Sequence, residues 1–159
     1  MPHVALVPFT GFRVREREMR ELGMAMPGLQ ARAGAIAQLP ALGLLTLAGM
    51  NPPDWTAGYH ESGGSDAEAL AEQVIELRPD LVAVSALTAS IEDAYEFSRR
   101  VRRAGLPVVL GGLHATACPE EAQRSVDAVV VGDGEASWPA VLADARRGEL
   151  RPLYRATKP

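Results

Sequence analysis

The stretch from residue 80 to residue 114 constrains the fold more than any other part of this chain. It contains two apolar runs of strand length joined by a segment with apolar residues at helical spacing. The first run ends in Ser85-Ala86-Leu87-Thr88, and the second ends in Gly111-Gly112-Leu113-His114. Parallel strands joined by a helix present their carboxyl ends at the same edge of a sheet. We therefore predict that these small and hydroxylated residues meet at one edge.

The remainder of the chain repeats this alternation of apolar runs and helical patterns. We predict strands at 3–9, 54–61, 81–86, 106–110 and 127–131, with helices between them. Continuous apolar runs are typical of strands that are buried on both faces, as in parallel sheets. The predicted fold is α/β: a flavodoxin-like or Rossmann-like, doubly wound, parallel five-stranded sheet of order 2-1-3-4-5 with helices on both faces.

Bulk properties restrict the class of protein. The length of 159 residues suits one domain, and the net charge of −4 argues against nucleic acid as a partner. The single cysteine, Cys118, excludes an internal disulfide and any multi-cysteine metal site within the chain. No apolar run is long enough for a membrane span, and an apolar strand begins almost at the N-terminus, so we expect no signal peptide and a cytoplasmic protein.

Two segments depart from the alternating pattern. Residues 12–40 combine a charged, helix-prone run with a stretch rich in Gly, Ala and Met, which fits either a solvated surface helix or a lid over the ligand edge. Residues 149–159 carry two prolines and no periodicity. We predict a domain over 1–148 and a linker over 149–159.

The loops at the carboxyl edge indicate binding more clearly than catalysis. Glycines allow a bulky ligand to approach the backbone closely, although each glycine alone is also typical of a turn. Asp133 and Glu135 could act as acid and base, or could equally cap the helix that follows. No nucleophile–base pair can be recognised around His114, and both common phosphate-binding fingerprints are missing. We predict no catalytic residue and no metal ligand.

Two short motifs resemble a known family. Ser85-Ala86-Leu87, followed by Gly111-Gly112, resembles the S-x-L and G-G elements of cobalamin-binding domains. In that family the S-x-L strand end lines the slot for the nucleotide tail, and the two glycines make room for it. A D-x-H-x-x-G element after the first strand supplies the histidine that ligates cobalt. Here residues 9–13 contain no histidine, so the resemblance implies cobalamin held without that ligand.

The departure points to a subfamily. The run from Pro40 to Leu45, the acidic Glu61 after the second strand, GGLHAT with its following PEE, and VVVGDGEASW together look like the N-terminal domain of cobalamin-dependent radical SAM enzymes. This resemblance implies that a radical SAM domain follows in a longer chain, as in a methyltransferase. That domain would hold S-adenosylmethionine and a 4Fe-4S cluster through C-x-x-x-C-x-x-C, which one cysteine cannot supply.

Geometry and resemblance together select the residues that we expect to contact cobalamin. They are Thr10, Gly11, Ser85, Leu87, Thr88, Ala89, Gly111, Gly112, Leu113, His114, Gly132, Gly134 and Glu135. The alternative is a domain that has kept this fold without the cofactor and serves as a substrate-recognition or docking module of a larger enzyme. A free-standing flavin or nucleotide binder is disfavoured because the chain has no phosphate-binding loop.

Overall fold

The sheet is the centre of the fold, in a computed structural model that describes residues 1–9, 40–61 and 67–156. Its strands lie in the order β2-β1-β3-β4-β5-β6, and every neighbouring pair is parallel. Their bounds are β1 His3–Phe9, β2 Thr56–Tyr59, β3 Leu81–Ala86, β4 Val108–Gly111, β5 Ala128–Val131 and β6 Leu153–Arg155. All carboxyl ends therefore meet at one edge of the sheet.

Helices cover both faces of this sheet. Their bounds are α1 Leu42–Gly49, α2 Ala67–Leu77, α3 Ile91–Arg103, α4 Leu113–Ala117, α5 Pro119–Ala122 and α6 Gly134–Arg147, with a 3₁₀ turn at Thr88–Ser90 before α3. None of the helices within the described ranges is long and apolar enough to cross a membrane.

Alternation along the strands divides the core into two layers, because successive strand residues point to opposite faces. Ala5 and Val7 of β1 pack with α2 and α3, where Phe97 is fully buried. Val4 and Leu6 face the other layer, in which Trp138 is buried. That second layer is formed by α1 and α6, so these two helices lie on the same side of the sheet.

The predicted fold class and the order of the first five strands are confirmed, but the predicted strand count is one too low. The sixth strand, Leu153–Arg155, pairs with β5 inside the segment that we expected to be a linker. Three residues are too short for a periodicity signal. The strand is instead held by contacts with a side chain outside the strand itself.

Asp144 of α6 holds β6 against the domain through hydrogen bonds. Its carboxylate accepts a hydrogen bond from the Tyr154 hydroxyl at 2.8 Å and one from Arg151 Nε at 2.9 Å, and it pairs with Arg147. The Tyr154 hydroxyl also accepts the Arg151 backbone N–H at 3.1 Å. Tyr154 is buried. The Tyr154 hydrogen bond, with help from Arg151, holds the pKa of Asp144 below its usual value.

Two serines near the starts of α3 and α6 do not cap these helices through their side chains. Ser137 lies inside α6 and is buried, because that helix begins at Gly134 with Asp133 at its N-cap. Ser90 occupies the N-cap of α3 but makes no capping hydrogen bond through its side chain. The surface helix or lid expected within 12–40 lies, apart from Pro40, outside the described residues.

Removal of the Tyr154 hydroxyl tests whether its hydrogen bond to Asp144 stabilises β6. We expect Tyr154→Phe to lower the free energy of unfolding by about 1–3 kcal/mol at pH 7, because a buried bond to a charged group is lost. The folded-state pKa of Asp144 is depressed, so its stabilisation is present above the ordinary aspartate pKa and is lost as pH falls through the folded pKa. Urea unfolding at pH 7 and at about pH 3 should give a smaller difference between the two proteins at the lower pH. A difference that does not change with pH would contradict this account.

Candidate functional site

A cavity of about 300 Å³ opens at the carboxyl ends of β3, β4 and β5. The strand ends form its floor, α1 lies on one side, and the first turn of α6 lies on the other. Its lining residues are Gly43, Leu44, Leu47, Ala83, Val84, Ser85, Val109, Gly111, Gly112, Leu113, Thr116, Val130, Gly132, Asp133, Gly134, Glu135 and Trp138. Most of these are apolar or lack a side chain, so the cavity suits a ligand group without charge.

Gly112 sets the distance between the ends of β3 and β4. Its φ of +100° is a conformation that L side chains rarely adopt. A Cβ atom at this position would lie 2.8 Å from the Ala86 carbonyl oxygen and 3.1 Å from Ser85 Oγ. Only glycine therefore allows the backbone after β4 to pass this close to the end of β3.

Gly111 keeps the cavity open for a different reason. A Cβ atom there would make ordinary contacts with Val130, at 3.8 Å from its Cβ atom. The position is therefore compatible with a side chain, and a larger one would occupy space beside the cavity floor. Gly111 is paired in register with Ser85, so the two predicted motifs lie side by side on adjacent strands.

Helix α1 and Trp138 belong to the site although the sequence analysis did not select them as contacts. Leu44 is the buried residue of α1, and Leu47 lies 3.5 Å from where a Cβ atom of Gly134 would be. Trp138 Nε1 donates a hydrogen bond to Asn51 Oδ1 at 2.9 Å, which joins α6 to the end of α1. The available signal was the composition of α1, whose sequence LGLLTLAG is apolar on nearly every side.

The polar groups of the cavity lie mainly at its rim. The Gly132 backbone N–H donates to Thr116 Oγ1 at 3.1 Å, while Asp133 and Glu135 are exposed at the start of α6. Asp133 occupies the N-cap and Glu135 the first turn, where negative charge is favourable beside the helix N-terminus. This placement favours a helix-terminus role for both carboxylates over an acid–base pair.

His114 lies on the other side of the sheet edge from the cavity. Its ring is buried and packs edge-on against Tyr95 of α3, with centroids 6.0 Å apart. Nδ1 lies 3.3 Å from Thr88 Oγ1, and Nε2 lies 3.2 Å from Glu121 Oε1. The Tyr95 hydroxyl donates to the same Glu121 oxygen at 3.1 Å. Burial, followed by this hydrogen bond, raises the pKa of Tyr95, so the phenol stays protonated and donates.

The structure thus separates the predicted contacts into groups. The cavity brings together Ser85, Gly111, Gly112, Leu113, Gly132, Gly134 and Glu135. Its lining does not include Leu87, Thr88, Ala89 or His114, which lie nearby on the loops after β3 and β4. Thr10 and Gly11 lie outside the described residues. A contact between cobalamin and any of these residues remains a prediction.

Known proteins similar to this chain include a methyltransferase and a cyclase. Bacteriochlorophyllide d C-8(2)-methyltransferase of Chlorobaculum tepidum is 37% identical over 75 residues, which cover 47% of this chain and 17% of that protein. The anaerobic magnesium-protoporphyrin IX monomethyl ester cyclase of Cereibacter sphaeroides is 36% identical over 111 residues, which cover 56% of this chain and 18% of the cyclase. The matched segments are therefore less than a fifth of each enzyme.

A solved N-terminal domain of a hypothetical protein from Thermotoga maritima is 27% identical, with a TM-score of 0.45, and the match covers 54% of this chain and 70% of that one. At the level of families, residues 35–142 match the B12 binding domain. This range contains the cavity floor, α1 and the first half of α6. The chain belongs to the B12-binding domain family.

Proposed function

We propose that this chain binds cobalamin in the cavity at the carboxyl edge of its sheet, without a histidine ligand from the protein to cobalt. The observation that carries the proposal is the cavity that Ser85, Gly111 and Gly112 line together with Leu44 and Leu47 of α1. When bound, cobalamin would supply a cobalt centre able to carry a methyl group.

The residues present fit the uncharged aromatic base of such a cofactor's nucleotide tail, and the phosphate of the tail would lie outside the apolar interior. The interior is apolar, and the absence of a side chain at Gly111 leaves space beside the floor. Ser85 offers a hydroxyl close to the Gly112 backbone, where it can bind a polar edge of the tail. Leu44 and Leu47 of α1 would cover the apolar face of the bound group.

The positions of the histidines support a corrin without a protein ligand. The chain has three histidines, and all of them lie in the described part. His114 is paired with Thr88 and Glu121, while the Nε2 atoms of His3 and His60 lie beside Gly58 in β2. None of the three lines the cavity. We propose that Leu87 and Leu113, which is 71% exposed, contribute to an apolar surface below cobalt instead.

We also propose that the chain is part of a larger radical SAM enzyme, such as a methyltransferase. The similar proteins include a methyltransferase and a cyclase that are several times longer than the matched segments. Because β6 is parallel to β5, its end lies at the cavity edge, where the Ala156 N–H donates to the Val131 carbonyl at 3.3 Å. A domain following residue 156 would begin beside the cavity rim. That domain would hold S-adenosylmethionine and the 4Fe-4S cluster.

Cobalamin retention tests the first proposal. The purified chain, mixed with hydroxocobalamin and passed through gel filtration, should elute with a corrin absorption band. Gly111→Leu should reduce the retained corrin by about tenfold or more, because the side chain would occupy space that the ligand needs. Gly49→Leu is the matched control, since a Cβ atom at Gly49 meets nothing within 4 Å and the residue does not line the cavity.

Two outcomes would contradict cobalamin binding at this cavity. One is elution of the wild-type chain without a corrin band, which would favour a docking module that has kept the fold alone. The other is equal retention by Gly111→Leu and Gly49→Leu, which would place any bound corrin elsewhere. Circular dichroism of each variant establishes that the fold is intact.

The coding sequence downstream of Pro159 tests the second proposal. We expect the reading frame to continue and to contain C-x-x-x-C-x-x-C within roughly a few tens of residues, because the domain that this resemblance implies opens with that motif and a domain needs only a short linker before it. Sequencing of the genomic locus measures this directly. A continuing frame without that cysteine pattern, or a stop codon after Pro159, would exclude the radical SAM proposal and would leave cobalamin binding unaffected.

A further inference from the structure

A second group of side chains, behind the sheet edge from the cavity, has the composition of a metal site. His114 of α4, Cys118 and Glu121 of α5 offer one nitrogen, one sulfur and one oxygen atom, all within 4.8 Å of one another. Their spacing, H-x-x-x-C-x-x-E, brings them together on consecutive short helices. We propose that these three residues bind a divalent cation of the zinc class, with water at the fourth position.

The distances agree with tetrahedral coordination. Zinc bonds of about 2.0 Å to nitrogen or oxygen and about 2.3 Å to sulfur place neighbouring ligand atoms about 3.3–3.6 Å apart. His114 Nε2 and Glu121 Oε1 are already separated by 3.2 Å. The Cys118 sulfur lies within 4.8 Å of both, so it needs to approach by at most about 1.2 Å, which rotation of an exposed side chain can supply.

The side chains that contact His114 and Glu121 have an arrangement that is typical of metal sites. A metal-bound histidine usually donates its other ring N–H to a polar partner, and here Thr88 Oγ1 lies 3.3 Å from His114 Nδ1. A ligating carboxylate is usually hydrogen-bonded in turn, and here the Tyr95 hydroxyl donates to Glu121 Oε1 at 3.1 Å. Thr88 and Tyr95 both lie in the segment after β3, whereas the ligands lie on α4 and α5. The supporting hydrogen bonds therefore come from a different part of the fold.

Burial and charge also fit a site that is open on one side. The His114 side chain is only 7% exposed, whereas Cys118 is an exposed free thiol and the Glu121 side chain is about half exposed. Thiolate and carboxylate would together neutralise the two charges of the cation, and binding would release the thiol proton. A bound cation would join α4 to α5 directly behind Gly112, and its presence does not depend on cobalamin.

Titration of the chain with Co²⁺ tests the site through a signal that only Cys118 can produce. The reduced, chelator-treated 159-residue chain, without cobalamin, should bind one equivalent of Co²⁺ and show thiolate-to-cobalt charge-transfer absorption, which added Zn²⁺ removes. The chain has a single cysteine, so this band reports on that residue. Cobalt bound to His3 and His60 would not produce it. Cys118→Ser should abolish the band.

Matched variants separate a metal site from a hydrogen-bonded cluster. Glu121→Gln should weaken Co²⁺ binding by at least about tenfold, and Tyr95→Phe should weaken it by about 10–100-fold, because they remove a ligand and its supporting donor. Glu120→Gln makes the same change at the neighbouring exposed residue, outside the cluster, and should leave the affinity unchanged. Absence of the thiolate band from the wild-type chain, or equal affinities for Glu120→Gln and Glu121→Gln, would overturn the proposal. Either result would leave His114 and Glu121 as a hydrogen-bonded structural pair only.

Discussion

At the carboxyl edge of the sheet, the backbone of Gly112 passes so close to β3 that a Cβ atom would lie 2.8 Å from the Ala86 carbonyl oxygen. This approach determines the form of the whole edge. It places the Ser85 hydroxyl beside the start of α4. The space that remains between the strand ends, α1 and α6 is the cavity. A side chain at residue 112 would separate the ends of β3 and β4 and would change the shape of the cavity.

The same edge supports two different chemical environments. On the α1 side, the cavity is lined by glycines and aliphatic groups, and its carboxylates lie at the rim, where the N-terminus of α6 favours them. On the α3 side, His114 is surrounded by hydroxyl and carboxylate partners. The short helix α4 separates the two, because Leu113 at its start faces the cavity while His114, the next residue, turns to the opposite side. Leu113 and His114 are adjacent in sequence but therefore lie in different environments.

The end of the described chain shows how a short segment without a pattern becomes ordered. Leu153–Arg155 could not form a strand by propensity alone, since three residues make few ladder bonds. The carboxylate of Asp144 supplies what the strand lacks, through its bonds to Tyr154 and Arg151. An aspartate in the last turn of α6 is expected from sequence to be a surface residue, and only its neighbours in space explain its burial.

The sequence by itself determined the α/β class, the parallel sheet and the order of its first five strands, because buried strands and amphipathic helices leave periodic patterns of apolar residues. It also located the cavity edge, since small residues at three successive strand ends meet wherever the strands are parallel. Tertiary structure alone decided that α1 and Trp138 line the cavity, that His114 turns away from it, and that β6 exists. Each of these depends on contacts between residues far apart in the chain, or on the direction of one side chain at a helix start. The apolar composition of α1 indicates that this helix needs a partner, but local pattern does not show which residues it meets or where a side chain turns.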